Sequence, residues 1–290
     1  MNNENTDADF TRYTFSTIFF VGMGVLFYAI NIDLLNLVDQ SINSFHSSSS
    51  LVFSWRIICL FVGVCAIIYT FKCGPGNMRV MMIRNCKEEI YHPEGISKFI
   101  TFSSWTLLAN VVYFASASLI QGLDYLDISS PSFLSQIQVI AFCTAIAIAF
   151  LTATIVRHII LPDEEKLGRN VDHMFLFHEQ VMHNFAAIFL TIELIILRPN
   201  LMPEFAIFGL FLGIIYVVFA YLFAYFGGGY LAYSFIHPKP KIAPVLVIAL
   251  ASFIAIFYTG LWLVSTLDQV LAGVLLSVWV MLIVQFKPKN

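Results

Sequence analysis

The stretch VIAFCTAIAIAFLTATIV, residues 139–156, runs for eighteen positions without a charged side chain. A helix crossing the hydrocarbon core of a bilayer needs about 20 mostly apolar residues, with about 17–25 tolerated. Seven further stretches meet that requirement: Thr14–Ile32, Leu51–Phe71, Phe99–Ile120, Met174–Leu197, Phe205–Phe226, Pro244–Val264 and Val270–Phe286. The last two are separated only by Ser265–Gln269, which implies a tight hairpin. The fifth in chain order, Met174–Leu197, is the least apolar and carries His178, Glu179, Gln180, His183, Asn184 and Glu193. The expected fold class is all-α: a polytopic transmembrane helix bundle of about eight spanning helices, forming one integral membrane domain over residues 1–290.

Composition points the same way. Of the 290 residues, 59% are apolar and 11% charged, against ~45–50% and ~25% in ordinary soluble domains. A soluble domain could not hide that much apolar surface, so the lipid bilayer is the expected solvent. The net charge of −3 leaves no basic footprint for nucleic acid. Five cysteines are few and odd in number, and Cys59, Cys65 and Cys143 lie inside apolar runs, which excludes a secreted disulfide scaffold. The first twelve residues lack a basic region before a short apolar core, so no cleavable signal peptide is expected.

The basic residues test the helix count independently, because they collect in cytoplasmic loops. With eight spans, the tails and the even-numbered loops share one side. That side holds Arg12; Lys72, Arg79, Arg84, Lys87 and Lys98; Arg157, Lys166 and Arg169; Lys239 and Lys241; Lys287 and Lys289. These are 13 of the 15 basic residues; Arg198 alone lies opposite, and Arg56 falls inside the second span. The segregation predicts both termini in the cytoplasm and excludes a seven-helix receptor, whose termini lie on opposite sides. The loop Lys72–Lys98 opens with a Cys-Gly-Pro-Gly turn and continues with Met78, Val80, Met81, Met82 and Ile83 among basic residues. It reads either as an amphipathic piece along the interface or as an ordinary connection. Ser47–Ser50 is a polar outside stretch. No polar signature repeats in the two halves, which weighs against a transporter of broken-helix repeats.

Ionisable groups inside spans are costly and mark functional candidates. Arg56, five residues from the outer end of its span, is expected to snorkel outward toward Asp33 or Asp39. Glu193 lies near an outer end, five residues before Arg198; an interface pair and a site role both stand open. His183 is the tenth residue of the fifth span, which places it ~13–15 Å deep, beyond the reach of snorkelling. Glu179 lies one turn earlier on the same helix face. The plain reading is a neutral histidine hydrogen-bonded within the bundle. The run His178-Glu179-Gln180-Val181-Met182-His183 looks like a zinc-protease helix but is one residue too long. Its histidines stand at i and i+5, roughly 140° apart on an α-helix, so no metal and no other cofactor is expected. Thr101, Ser103, Ser104 and Thr106 open the third span, where such hydroxyls usually bond back to the helix or glue helices together. The third and fifth spans run in the same direction, so Thr101 and His183 both fall between the cytoplasmic surface and the midplane. No GxSxG turn is present, which excludes a soluble-type serine hydrolase.

Three short motifs in order resemble the androgen-induced-protein family. Lys98-Phe99-Ile100-Thr101-Phe102 leading into an apolar helix resembles the start of its catalytic-threonine helix. Met182-His183, with Glu193 ten residues after the histidine, is similar to its histidine segment. An apolar helix followed by Gly227-Gly228-Gly229 and Tyr233-Ser234-Phe235 resembles both this family and the related rolling-stone proteins, with Ser234 where a proline is usual. The resemblance covers roughly 51–264 and leaves one added helix at each end, about 14–32 and 270–286. It implies a multi-pass membrane hydrolase of fatty-acid esters of hydroxy fatty acids, with Thr101 as nucleophile and His183 as its base.

That chemistry is physically coherent. A threonine hydroxyl is a weak nucleophile and needs a neighbouring base, a task that a neutral imidazole performs near physiological pH. The substrate partner would be a lipid ester taken from the bilayer, and 29 phenylalanines suit an apolar cleft. Glu179 could orient His183. Asn184 points ~100° away from it around the helix, and no oxyanion donor is identifiable. A scaffold of rolling-stone type, acting through protein partners, would need neither Thr101 nor His183. A transporter would need a polar path across the membrane.

Overall fold

A computed structural model describes residues 9–288. The chain is a helical bundle with one small sheet. Its helices are α1 (Thr11–Asn31), α2 (Leu34–Ser41), α3 (Ser50–Lys72), α4 (Phe102–Tyr125), α5 (Ser132–Ile155), α6 (Leu161–Lys166), α7 (Phe177–Gln180), α8 (Ala186–Leu197), α9 (Ala206–Phe223), α10 (Ala243–Ser265) and α11 (Gln269–Ile283). Three π-helical turns, Val156–Ile160, Val181–Phe185 and Ala224–Gly228, join α5 to α6, join α7 to α8 and extend α9. Among the described residues, seven helical segments are long and apolar enough to cross a membrane. The all-α polytopic class expected from sequence is therefore what the chain adopts. The eighth stretch is shorter than expected: α11 has 15 residues, a rise of about 22 Å against a hydrocarbon core of about 30 Å. The chain turns extended at Val284, short of the expected end at Phe286.

The core is built around α5, whose membrane-length window is 83% buried against 11% for the α1 window. Small side chains make this central position possible. Ala141, Ala145, Ala147, Ala149 and Ala153 are all buried on α5, and small residues let helix backbones approach where no hydrophobic effect drives them together. Gly209 of α9 belongs to the same contact, since a Cβ there would lie 2.8 Å from Ile254 and 3.2 Å from Ala147. By contrast α1 and α10 show most of their apolar surface outward, as helices facing lipid do.

Both ends of the described chain meet the same end of the bundle. The Phe10 N–H donates to the Lys239 carbonyl at 3.0 Å and the Thr14 hydroxyl to the Pro238 carbonyl at 2.8 Å. At the other terminus, the Arg157 guanidinium donates to the Met281 and Val284 carbonyls, and His158 bonds the Leu282 carbonyl. These contacts cap the carbonyls that α11 leaves unsatisfied.

The loop after α3 is more than a plain connection: it forms a hairpin, β1 (Met78–Met82) with β2 (Glu88–Tyr91). β3 (Tyr230–Leu231) joins it across β1 to complete an antiparallel sheet of order β2-β1-β3. The Gly-Gly-Gly run makes this pairing possible. Gly229 sits at φ +74°, a left-handed conformation that side chains resist, and its carbonyl accepts the Ile83 N–H at 3.0 Å.

Arg56 also departs from expectation. It does not snorkel to Asp33 or Asp39 but is 1% exposed. Its Nε donates to Glu193 Oε1 at 2.7 Å, with further bonds to Gln121 Oε1 and the Phe45 carbonyl. Glu193 also accepts the Tyr113 hydroxyl at 2.7 Å. Its partner is thus Arg56, while Arg198 bonds the Ser265 and Leu267 carbonyls at the end of α10. Both bonds to Glu193 fall on Oε1, and Oε2 is buried without a partner; the direct pairing is what offsets the cost of two buried charges.

Candidate active site

Thr101 lies outside the helix that the sequence placed it in. Residues Gly95–Ile100 form a 3-10 turn, and Thr101 is extended at φ −80°, ψ 148° as the N-cap of α4. Its Oγ1 accepts the Ser104 N–H at 3.3 Å and the Ser103 hydroxyl at 3.1 Å, and lies 2.8 Å from Ser104 Oγ. Ser104 Oγ in turn donates to the Lys98 carbonyl at 3.1 Å. A capping hydroxyl stands at the positive end of the helix macrodipole, where negative charge is favoured. Lys98 anchors this corner by donating to the Thr70 and Gly74 carbonyls and to Cys73 Sγ, which caps the end of α3.

The His183 segment is likewise displaced. Its helix begins at Phe177, not Met174, so His183 sits only ~9 Å along it. That late start narrows the depth gap to Thr101. The π turn then changes the angular relation of the histidines. The Ala186 N–H bonds the Val181 carbonyl, five residues back, and this i→i+5 pattern brings residues five apart toward one face. His178 Nε2 and His183 Nε2 lie 3.3 Å and 3.4 Å from the two oxygens of Glu179, which is next to His178 in the chain and one turn before His183. The 140° separation assumed from the α-helical repeat does not hold here. His183 Nδ1 is buried without a hydrogen-bond partner. Among the described residues no three His, Cys, Asp or Glu side chains are grouped to hold a metal ion.

Thr101 and His183 line one cavity of about 670 Å³. Ser104 links their elements, its Oγ lying 3.7 Å from Met182 Sδ. The cavity is amphipathic along its length. One part is lined by Asn77, Arg79, Asp163, Glu164, Arg169 and Asn170, the other by Leu210, Ile214, Val247, Leu250 and Ile254. Charges in the polar part are paired: Arg79 with Glu88, Asp163 and Glu164, and Arg169 with Glu164. Thr101, Ser103, His178, Glu179, His183 and Tyr233 also line the wall.

The other sequence candidates have different places. Glu179 lines the cavity against His183. Asn184 instead binds Gln180 Oε1 and both backbone groups of Gln285, tying the end of α11 to the site helix. Glu193 belongs to the Arg56 network and does not line the cavity. Sequence reasoning did not single out Tyr233, although it stands in the quoted Tyr233-Ser234-Phe235 motif. Its Oη accepts the Phe102 N–H at 3.1 Å, beside Thr101. Comparison with family models, with curated proteins and with solved structures returns no match.

Proposed function

We propose that the protein is a membrane-embedded hydrolase of lipid esters, with Thr101 as nucleophile and His183 as general base. The observation that carries this reading is the presence of both side chains on one amphipathic cavity of a size typical for small-molecule sites. Fatty-acid esters of hydroxy fatty acids are the substrates that the family resemblance suggests. Glu179 against Nε2 would hold the ring, leaving Nδ1 to take the proton, as a carboxylate orients a catalytic histidine elsewhere. The Thr101 hydroxyl proton passes to His183 while Oγ1 forms a bond to the ester carbonyl carbon. Collapse of the tetrahedral adduct breaks the ester C–O bond, and the leaving alkoxide takes the proton from His183. Water, deprotonated by the same ring, then cleaves the acyl–threonine ester to release the acid and restore Thr101. In the same reading, the thirteen basic residues set both termini and the cavity mouth in the cytoplasm.

The test is hydrolysis of long-chain branched lipid esters by purified protein in detergent. Thr101→Ala should abolish activity at a capping cost of about 1 kcal/mol, which monodisperse elution would show to be tolerated. Thr101→Ser keeps the hydroxyl and should retain part of the rate. His183→Ala should cost at least ~100-fold, and the double variant should be little worse than either single one, because residues of one catalytic unit fail together. A well-folded Thr101→Ala protein as fast as wild type would refute the threonine mechanism. Absence of hydrolysis across a broad ester panel would leave the scaffold reading.

A further inference from the structure

An acyl transfer needs a donor aimed at the carbonyl oxygen as negative charge develops on it, and neither Thr101 nor His183 can supply it. Tyr233 is placed for that role. It lines the same cavity as Thr101 and His183. Its phenol oxygen accepts the N–H of Phe102, the first residue of α4 and the chain neighbour of Thr101. An oxygen held by an incoming N–H keeps its own proton to give away. Burial pushes the phenol up to about 12, so it stays protonated at physiological pH. The ring is fixed as well as the oxygen. It stacks on Phe235 with centroids 5.0 Å apart and planes 17° from parallel. The segment carrying it is held on one side by β3 and on the other by the Tyr221 hydroxyl, which donates to the Ile236 carbonyl at 2.7 Å.

We propose that Tyr233 is a catalytic residue that donates its O–H to the carbonyl oxygen of the bound ester. The inference rests on the Thr101–His183 reading. As Oγ1 of Thr101 bonds to the carbonyl carbon, the carbonyl π pair moves to oxygen, and that oxyanion accepts the Tyr233 hydrogen bond without taking its proton. The pair returns when the ester C–O bond breaks. The same donor serves again when water attacks the acyl–threonine. The Phe102 N–H, fixed on Tyr233 Oη, polarises the phenol and makes it a stronger donor.

The experiment compares kcat, KM and the pH profile of wild type, Tyr233→Phe and Tyr233→fluorotyrosine in detergent, with Thr101→Ala alongside. Tyr233→Phe should lower kcat by ~100-fold or more with KM unchanged, and should slow labelling of Thr101 by a lipophilic fluorophosphonate, whose phosphoryl oxygen occupies the same position. Fluorotyrosine keeps the hydroxyl on a more acidic phenol, so activity should return at neutral pH with the alkaline limb moved to lower pH. A phenol that only braces the start of α4 would leave that limb where wild type has it, and this outcome overturns the proposal even if Tyr233→Phe fails to fold. Wild-type kcat in Tyr233→Phe with an inactive Thr101→Ala overturns the Tyr233 role alone. Full activity in Thr101→Ala, or none in wild type on any ester, overturns both readings.

Discussion

Arg56 and Glu193 are 1% and 0% exposed; the guanidinium donates to Glu193, Gln121 and the Phe45 carbonyl, while Glu193 takes Arg56 and Tyr113 both on Oε1 and keeps Oε2 buried without a partner. Breaking such a pair leaves a charge buried without a partner, which costs about 3–5 kcal/mol. Arg56→Met alone should therefore strongly lower the unfolding midpoint in detergent. Arg56→Met with Glu193→Met should recover much of the loss, because apolar replacement of both partners removes the uncompensated charge. Thermal melts of the single and double variants check this. The pair was not legible in sequence for a plain physical reason. Its members are 137 positions apart, whereas Arg198, only five residues from Glu193, offered a local partner that the fold does not use. Thr101, by contrast, was singled out through the local motif Lys98-Phe99-Ile100-Thr101-Phe102, although the sequence put it inside the helix that it caps.

At the scale of elements, the π turn at Val181–Phe185 decides which side chains meet. Periodicity at 3.6 residues per turn separates His178 from His183, and the π turn, which begins after His178, narrows that separation. No proline or glycine within the turn announces it, so the sequence could not reveal it. The turn at Val156–Ile160 differs in having Pro162 just beyond it, a residue that cannot donate to an α-helical ladder. Deleting Val181 should convert the Val181–Phe185 turn to regular helix and rotate His183 by ~100° relative to Glu179 and the helix that precedes it. The variant should remain helical by circular dichroism yet lose at least ~100-fold of hydrolysis. The segment after α9 should respond to acid through His237. Burial first, then the nearby Lys239, holds this imidazole below its usual value, against weaker opposing effects of a backbone bond and Asp9. The folded state thus resists protonation. Its contribution is fully present above the unfolded value near 6.5 and declines as pH falls through that value toward the lower folded one. Proteolysis of the loop before α10 should accelerate between about pH 7 and pH 5.5, and His237→Gln should flatten the response.

For the whole molecule, the all-α class, the order of the helices and seven of the eight expected membrane-length stretches were readable from composition and span length, while α11 is shorter than expected. The sheet was not. Its third strand is two residues long and lies far along the chain from the hairpin it joins. Most helix starts were displaced by one to three residues and that of α5 by seven, and such small shifts carried Thr101 out of a helix and His183 nearer to the end of the bundle. Reporter fusions at each tail should give signals on the same side of the membrane; opposite signals would refute the eight-crossing arrangement. The five cysteines are free. Cys73 Sγ accepts from Lys98, and Cys86 Sγ lies 3.6 Å from His237 Nε2. Non-reducing mass mapping of freshly isolated membranes should accordingly find no bridge between them.

The cavity has its polar part among Arg79, Asp163 and Arg169, at the bundle end where both chain termini are tied, and its apolar part between α9 and α10. This asymmetry gives the molecule a sidedness that a symmetric channel lacks. Amphiphiles keep their head groups at the water boundary of whichever leaflet holds them, so only one leaflet presents heads at the depth of Thr101. If the protein is the proposed hydrolase, lipids of the opposite leaflet would have to flip before being cleaved. In vesicles with the protein oriented one way, a fluorescent ester confined to the leaflet at the Thr101 end should be consumed at once. The same ester loaded into the other leaflet should be consumed only as fast as it crosses, and a scramblase should abolish the difference.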